Sequence, residues 1–89
     1  MNISTQKIII GNKFQICKKL GQGAFGVIYQ GKNIRTGDEV AIKLEPKLRA
    51  EDQLFYEAKV YQKLKGVEGI CNVHWVGSEG QYNAMVMDI

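Results

Sequence analysis

The sequence predicts an α+β domain built from a five-stranded antiparallel sheet and one packed helix. Three observations carry this. Short runs rich in β-branched residues alternate apolar and polar side chains on both sides of a glycine cluster. The stretch 51–65 repeats its apolar residues with a helical period instead. Two further apolar runs close the sequence around a turn at Ser78, Glu79 and Gly80. At 89 residues the chain has room for at most one small domain, with a core of marginal size.

The first strand is expected over Lys13 to Leu20, KFQICKKL, where Phe14, Ile16 and Leu20 alternate with Gln15, Cys17 and Lys19. Lys18 is the one departure on the apolar face. Residues 1–12 are assigned to an N-terminal extension, whose apolar run Ile8 to Ile10 is far too short for a signal-peptide core or a membrane span. After the glycines VIYQGKNI forms the second strand, and Thr36, Gly37 and Asp38 supply a turn. EVAIKLE is the third, with Val40, Ile42 and Leu44 on one face and Ala41, Lys43 and Glu45 on the other. Pro46 ends it. EDQLFYEAKVYQKLK then carries acidic residues in its first turn and Gly66 at its C′ position, which predicts a helix over 51–65. ICNVHWVG and QYNAMVMDI complete the sheet as a hairpin. Tyr61, His74, Trp75 and Met85 are assigned to the core, and Cys17 and Cys71 are expected as reduced, half-buried thiols.

Two features point to chemistry. Residues 21–31, GQGAFGVIYQG, space three glycines as G-x-G-x-x-G. Such loops hold phosphates in dinucleotide-binding folds, but there the third glycine opens a helix whose N-terminus receives the pyrophosphate. Here the loop joins two strands, which argues against a dinucleotide-dependent oxidoreductase. The second feature is Glu57. At about 100° per residue, Leu64 lies roughly 20° from it around the helix, Tyr61 about 40°, and Leu54 and Val60 about 60°. A carboxylate in the middle of an apolar stripe is costly without a cation, and Lys43, on the same strand face as Ala41, is the natural partner.

The bulk composition excludes more than it identifies. A net charge of +3 with no Lys/Arg run longer than Lys18 and Lys19, and acidic residues throughout, argues against a nucleic-acid partner. No histidine or cysteine pair has metal-ligand spacing, so no metal site is expected within the chain. No membrane partner is expected, and the cytosol or nucleus is the default location.

Gly21, Gly23, Gly26 and Ile28 match G-x-G-x-x-G-x-V, and Val40 to Lys43 spell VAIK. From Lys13 to Ile89 these pieces, in this order, resemble the N-terminal lobe of a protein kinase. FGVIYQG, VAIKLE, YEAKVYQKLKG and EGQYNAMVMDI are similar to segments of the casein kinase I family in particular. The resemblance implies a serine/threonine kinase that uses ATP and Mg²⁺. Gly21, Gln22, Gly23, Ala24, Phe25 and Gly26 would fold over the phosphates, Val27 would follow them, and Leu20, Ile28 and Ala41 would sandwich the adenine. Lys43 would contact the α- and β-phosphates and be held by Glu57. Met87 falls at the gatekeeper position, and Asp88 and Ile89 would begin the hinge along the adenine edge. Two departures, Val27 in place of an acidic residue and Cys71 in place of proline, bear on the subgroup.

The resemblance further implies protein substrates that are acidic or previously phosphorylated. Mg²⁺ ligands and the catalytic aspartate belong to a C-terminal lobe after the hinge. The sequence stops inside an apolar run, which is expected of a kinase domain continuing past Ile89. The alternative is a non-catalytic remnant that binds nucleotide or a partner.

Overall fold

The computed structural model describes residues 8–22, 26–47, 58–60, 63 and 72–89. Six strands form one antiparallel sheet: β1 (Ile9–Ile10), β2 (Phe14–Gln22), β3 (Val27–Asn33), β4 (Glu39–Pro46), β5 (Val73–Glu79) and β6 (Tyr82–Asp88). Their spatial order is β1-β2-β3-β4-β6-β5, so β4 lies in the interior with β3 and β6 as neighbours. The expected count of five is corrected to six. The additional strand is β1, which lies in the stretch assigned to the N-terminal extension and pairs Ile9 with Gln15 and Ile10 with Phe14. Gly11 and Asn12 both have positive φ and form the tight turn between β1 and β2, closed by the Lys13 N–H donating to the Ile10 carbonyl.

Cross-strand partners divide the sheet into two faces. On one, Ile16, Val40, Ile42, Ala84 and Val86 join Ile10 and Phe14 in the main core, with Tyr29, Leu44 and Trp75 packed against it. We call this the closed face. Ala58 and Met85 are buried on the other, with Val73, Val76 and Met87 alongside. The closed face is closed because the sheet's edges meet: the Gly11 N–H of the β1–β2 turn donates to Glu79 Oε1 of β5 at 2.7 Å. Trp75 of β5 lies so near that a Cβ on Gly11 would sit 2.9 Å from its ring.

Strand β2 departs from simple alternation. Its pairing with β3 shifts between Ile16 and Lys18 and again between Lys19 and Gly21. The first bulge makes Cys17 the extra residue and carries Lys18 to the row of Gln30 and Ala41, off the core face. That resolves the one charged residue in the apolar pattern. The second falls at Leu20, which is 50% exposed and not on the buried face with Phe14 and Ile16. Cys17 is likewise exposed, not half-buried.

Two further expectations are corrected. His74 is exposed and not a packed core residue, because it is the extra residue of a third bulge, between Val73 and Trp75. Residues 58–60 and 63 are helical, with Ala58 buried, while Val60 is 38% exposed and lies off the buried stripe. Most of the helix expected over 51–65, including Glu57 and Tyr61, lies outside the described residues, as does Cys71. Trp75 and Met85 pack as expected.

Candidate functional site

The site is built by pairing alone on the other face of the sheet, the one with Ala58 and Met85, which we call the open face. Gly21 lies opposite Ile28, Ile28 opposite Lys43, and Lys43 opposite Met85, so residues from four strands form one row across the sheet. The neighbouring row runs from Gln30 through Ala41 to Met87 and on to Val73. Two positions apart on a strand means the same face, so Ala41 and Lys43 share it with Ile28 and Met87. Residues of three strands are thereby brought together: a cation flanked by small and medium apolar side chains. Ala58 packs on this face with Met85, which places the residue after Glu57 against the strand pair that carries Lys43.

The glycine loop spans β2 and β3, and its tip, Gly23, Ala24 and Phe25, lies outside the described residues. Gln22 pairs with Val27 and accepts a hydrogen bond from Lys19 Nζ at 3.1 Å. Val27 belongs to a closed-face row with Leu44, apart from Ile28 and Lys43. The two described glycines of the motif differ. A Cβ on Gly21 would meet nothing within 4 Å, so open space lies over the row that leads to Lys43. A Cβ on Gly26 would collide with the Leu44 carbonyl oxygen, so glycine there lets β3 start close against β4.

At the far end of β6, Asp88 pairs with Val40 and its side chain belongs to the closed-face side, near Phe14. Its N–H donates to the Asn72 carbonyl at 3.0 Å, so a base-edge contact from Asp88 would use its carbonyl. The carboxylate accepts the Asn72 N–H at 3.1 Å and meets His74 Nε2 at 2.6 Å. These bonds, the Asn72 N–H first and the histidine second, hold the Asp88 carboxyl below its ordinary value. Sequence reasoning missed His74 here, since a bulge is invisible to an alternation count. Ile89 follows, 62% exposed. Glu45 is also fully buried, two residues beyond Lys43.

An apolar groove lies elsewhere. Its volume is about 600 Å³, and Ile8, Ile10, Ile16, Tyr29, Leu44 and Tyr82 are among its lining residues. It opens on the closed-face side and reaches neither Lys43 nor Ala41 nor Met87, so it is separate from the row that carries Lys43.

The open face thus combines unobstructed glycine backbone at Gly21, a cation at Lys43, and small to medium apolar side chains at Ile28, Ala41 and Met87. The protein kinase domain model matches residues 14–89, the span that contains every strand but β1. A strand–glycine loop–strand unit running into VAIK on an antiparallel sheet, matched over nearly the whole chain, places this chain in the protein kinase family.

Proposed function

We propose that this chain is the ATP-gripping lobe of a casein kinase I-like serine/threonine kinase. The observation that carries it is the row Gly21, Ile28, Lys43, continued by Ala41 and Met87 in the next row of the same face. ATP supplies the γ-phosphoryl group that is transferred to a protein hydroxyl. Gly21 and its neighbours in the loop approach phosphate oxygens through backbone N–H groups, since no Cβ stands in the way. Lys43 holds the α- and β-phosphates as a point charge, oriented by Glu57. Leu20, Ile28 and Ala41 enclose the adenine, Met87 limits the depth of its pocket, and the backbone of Asp88 and Ile89 reads its edge. Mg²⁺ and the catalytic aspartate belong to the C-terminal lobe that the resemblance implies.

The casein kinase I assignment draws on the segments FGVIYQG, YEAKVYQKLKG and EGQYNAMVMDI. It carries with it a preference for acidic or previously phosphorylated protein substrates and a cytosolic or nuclear location. Lys43→Met tests the core of this function in the full-length protein. Phosphoryl transfer to an acidic protein should fall by about 10²-fold or more, because a preorganised charge on the transferring phosphates is lost. The thermal midpoint should stay near that of the wild type. Full activity of the variant would overturn the role of Lys43.

A further inference from the structure

We propose that His74 is a positioning residue for the adenine-binding hinge, clasping Asp88 from behind so that base affinity rises when the imidazole is protonated; this rests on the nucleotide-binding function proposed above.

The clasp starts from the bulge in β5. Val73 pairs with Met87 and Trp75 with Val86, which leaves His74 as the extra residue. In a regular strand Val73 and Trp75 would share a face. Here Val73 packs with Met85 and Met87 on the open face, and Trp75 packs on the closed one. The inserted residue absorbs the change of face, and its side chain is re-aimed at the end of β6. Its Nε2 lies 2.6 Å from Asp88 Oδ1. The other carboxylate oxygen accepts the Asn72 N–H, and the Asp88 N–H returns to the Asn72 carbonyl. Asp88 is thus fastened by both its backbone and its side chain, immediately after Met87.

Protonation strengthens the clasp, so a larger fraction of the molecules holds Asp88 and the hinge in the base-binding arrangement, and the apparent base affinity rises with that fraction. A neutral imidazole donates from Nε2 in one tautomer, whereas the cation always donates and adds charge to the bond. Histidine is the side chain whose ordinary titration falls in the range of about pH 5 to 8. The carboxylate remains ionised there, since Asn72 and His74 hold its pKa down. The side chains are 42% and 43% exposed, so the effect is modest. Lys13 from the β1–β2 turn and Asp38 and Glu39 at the start of β4 line the same groove. They are common to wild type and variant, so a comparison at position 74 isolates the histidine.

Adenosine is the suitable probe, because it lacks the phosphates that titrate in ATP. Its affinity would be measured by calorimetry on the full-length protein that carries this chain, from about pH 8.5 to about pH 5.5, the window that brackets histidine titration. Wild type should bind about threefold more tightly at the acid end, the scale of an exposed charge-assisted bond. His74→Gln should give a flat profile, and His74→Arg should be flat at the wild-type acid value. A His74→Gln profile with the wild-type slope, or a flat wild-type profile, would overturn the clasp while leaving nucleotide binding intact. Should the glutamine variant fold poorly, the wild-type slope and the arginine variant decide. Absence of adenosine binding by the wild type at every pH would instead overturn nucleotide binding and the clasp with it.

Discussion

Gly21 and Gly26 belong to one sequence motif, yet the structure gives them different reasons to lack a side chain. At Gly26 the constraint is internal, because any Cβ would run into the Leu44 carbonyl oxygen of β4. At Gly21 the space is open, so the folded chain would accept alanine without displacement. Gly26→Ala should therefore destabilise the fold by about 1–3 kcal/mol, the usual cost of forcing atoms into a packed site. Gly21→Ala should change stability by about 0.5 kcal/mol or less, as surface substitutions do. Urea unfolding of the two variants side by side checks the contrast, and equal losses would contradict it. If the open face holds a nucleotide, Gly21→Ala is also the variant that weakens ATP binding without weakening the fold. The motif's residue types were legible in the sequence because chemistry restricts them. The collision at Gly26 was not, since it depends on which carbonyl the register of β3 and β4 brings beneath it.

The alternation of apolar residues located β2, β3, β4 and the closing hairpin, whose turn lies at Gly80 and Gln81 and not at Ser78 to Gly80 because Ser78 and Glu79 pair with Asn83 and Tyr82; the bulges lie outside what a period of two can express. Lys18 was the visible trace of one: a charge at an apolar position marks the place where the strand slips by a residue. At His74 no such trace exists, because a histidine beside a tryptophan suits either face. Strand β1 had a signal in Gly11 and Asn12 following Ile8 to Ile10, a turn pair after an apolar run. Its shortness hid it. Gly11→Ala combines a positive φ with contact against the Trp75 ring, and should cost about 1–3 kcal/mol, measured by the shift in thermal midpoint. At the other end of the sheet, the Asp88 carboxyl titrates below its ordinary value of 3.8 in the folded chain. A depressed acid contributes stability above its unfolded pKa and loses that contribution as pH falls through the folded one. Asp88→Asn should therefore lower the urea midpoint near neutral pH, and the gap from wild type should close under acid. A gap that stays constant with pH would show that the carboxylate's charge contributes nothing.

At the scale of the molecule, the two faces of the one sheet differ in what they present. The closed face is fastened where the edge strands meet at Gly11 and Glu79, and it holds the fully buried Ile42, Ala84 and Val86. On the open face, the central strand β4 presents Ala41 and Lys43 between β3 and β6, away from both edges. Stability and chemistry are therefore separable by face, even for neighbours in sequence. Ile42→Ala empties a fully buried position and should cost about 2–5 kcal/mol. That is a large share of the roughly 5–15 kcal/mol that holds a domain folded, so the gentler Ile42→Val, at about 0.5–1.5 kcal/mol, is the variant to measure. Leu20→Ala should behave in the opposite way. Half its surface is already exposed, so little apolar area returns to water on truncation, while a base against it would lose a contact. In paired measurements of unfolding midpoint and adenosine affinity, Ile42→Val should move the first and Leu20→Ala the second. If both variants moved both quantities together, the two faces would be one cooperative unit, and Ile42, Lys43 and Leu44 could not be assigned separate roles by the face each presents.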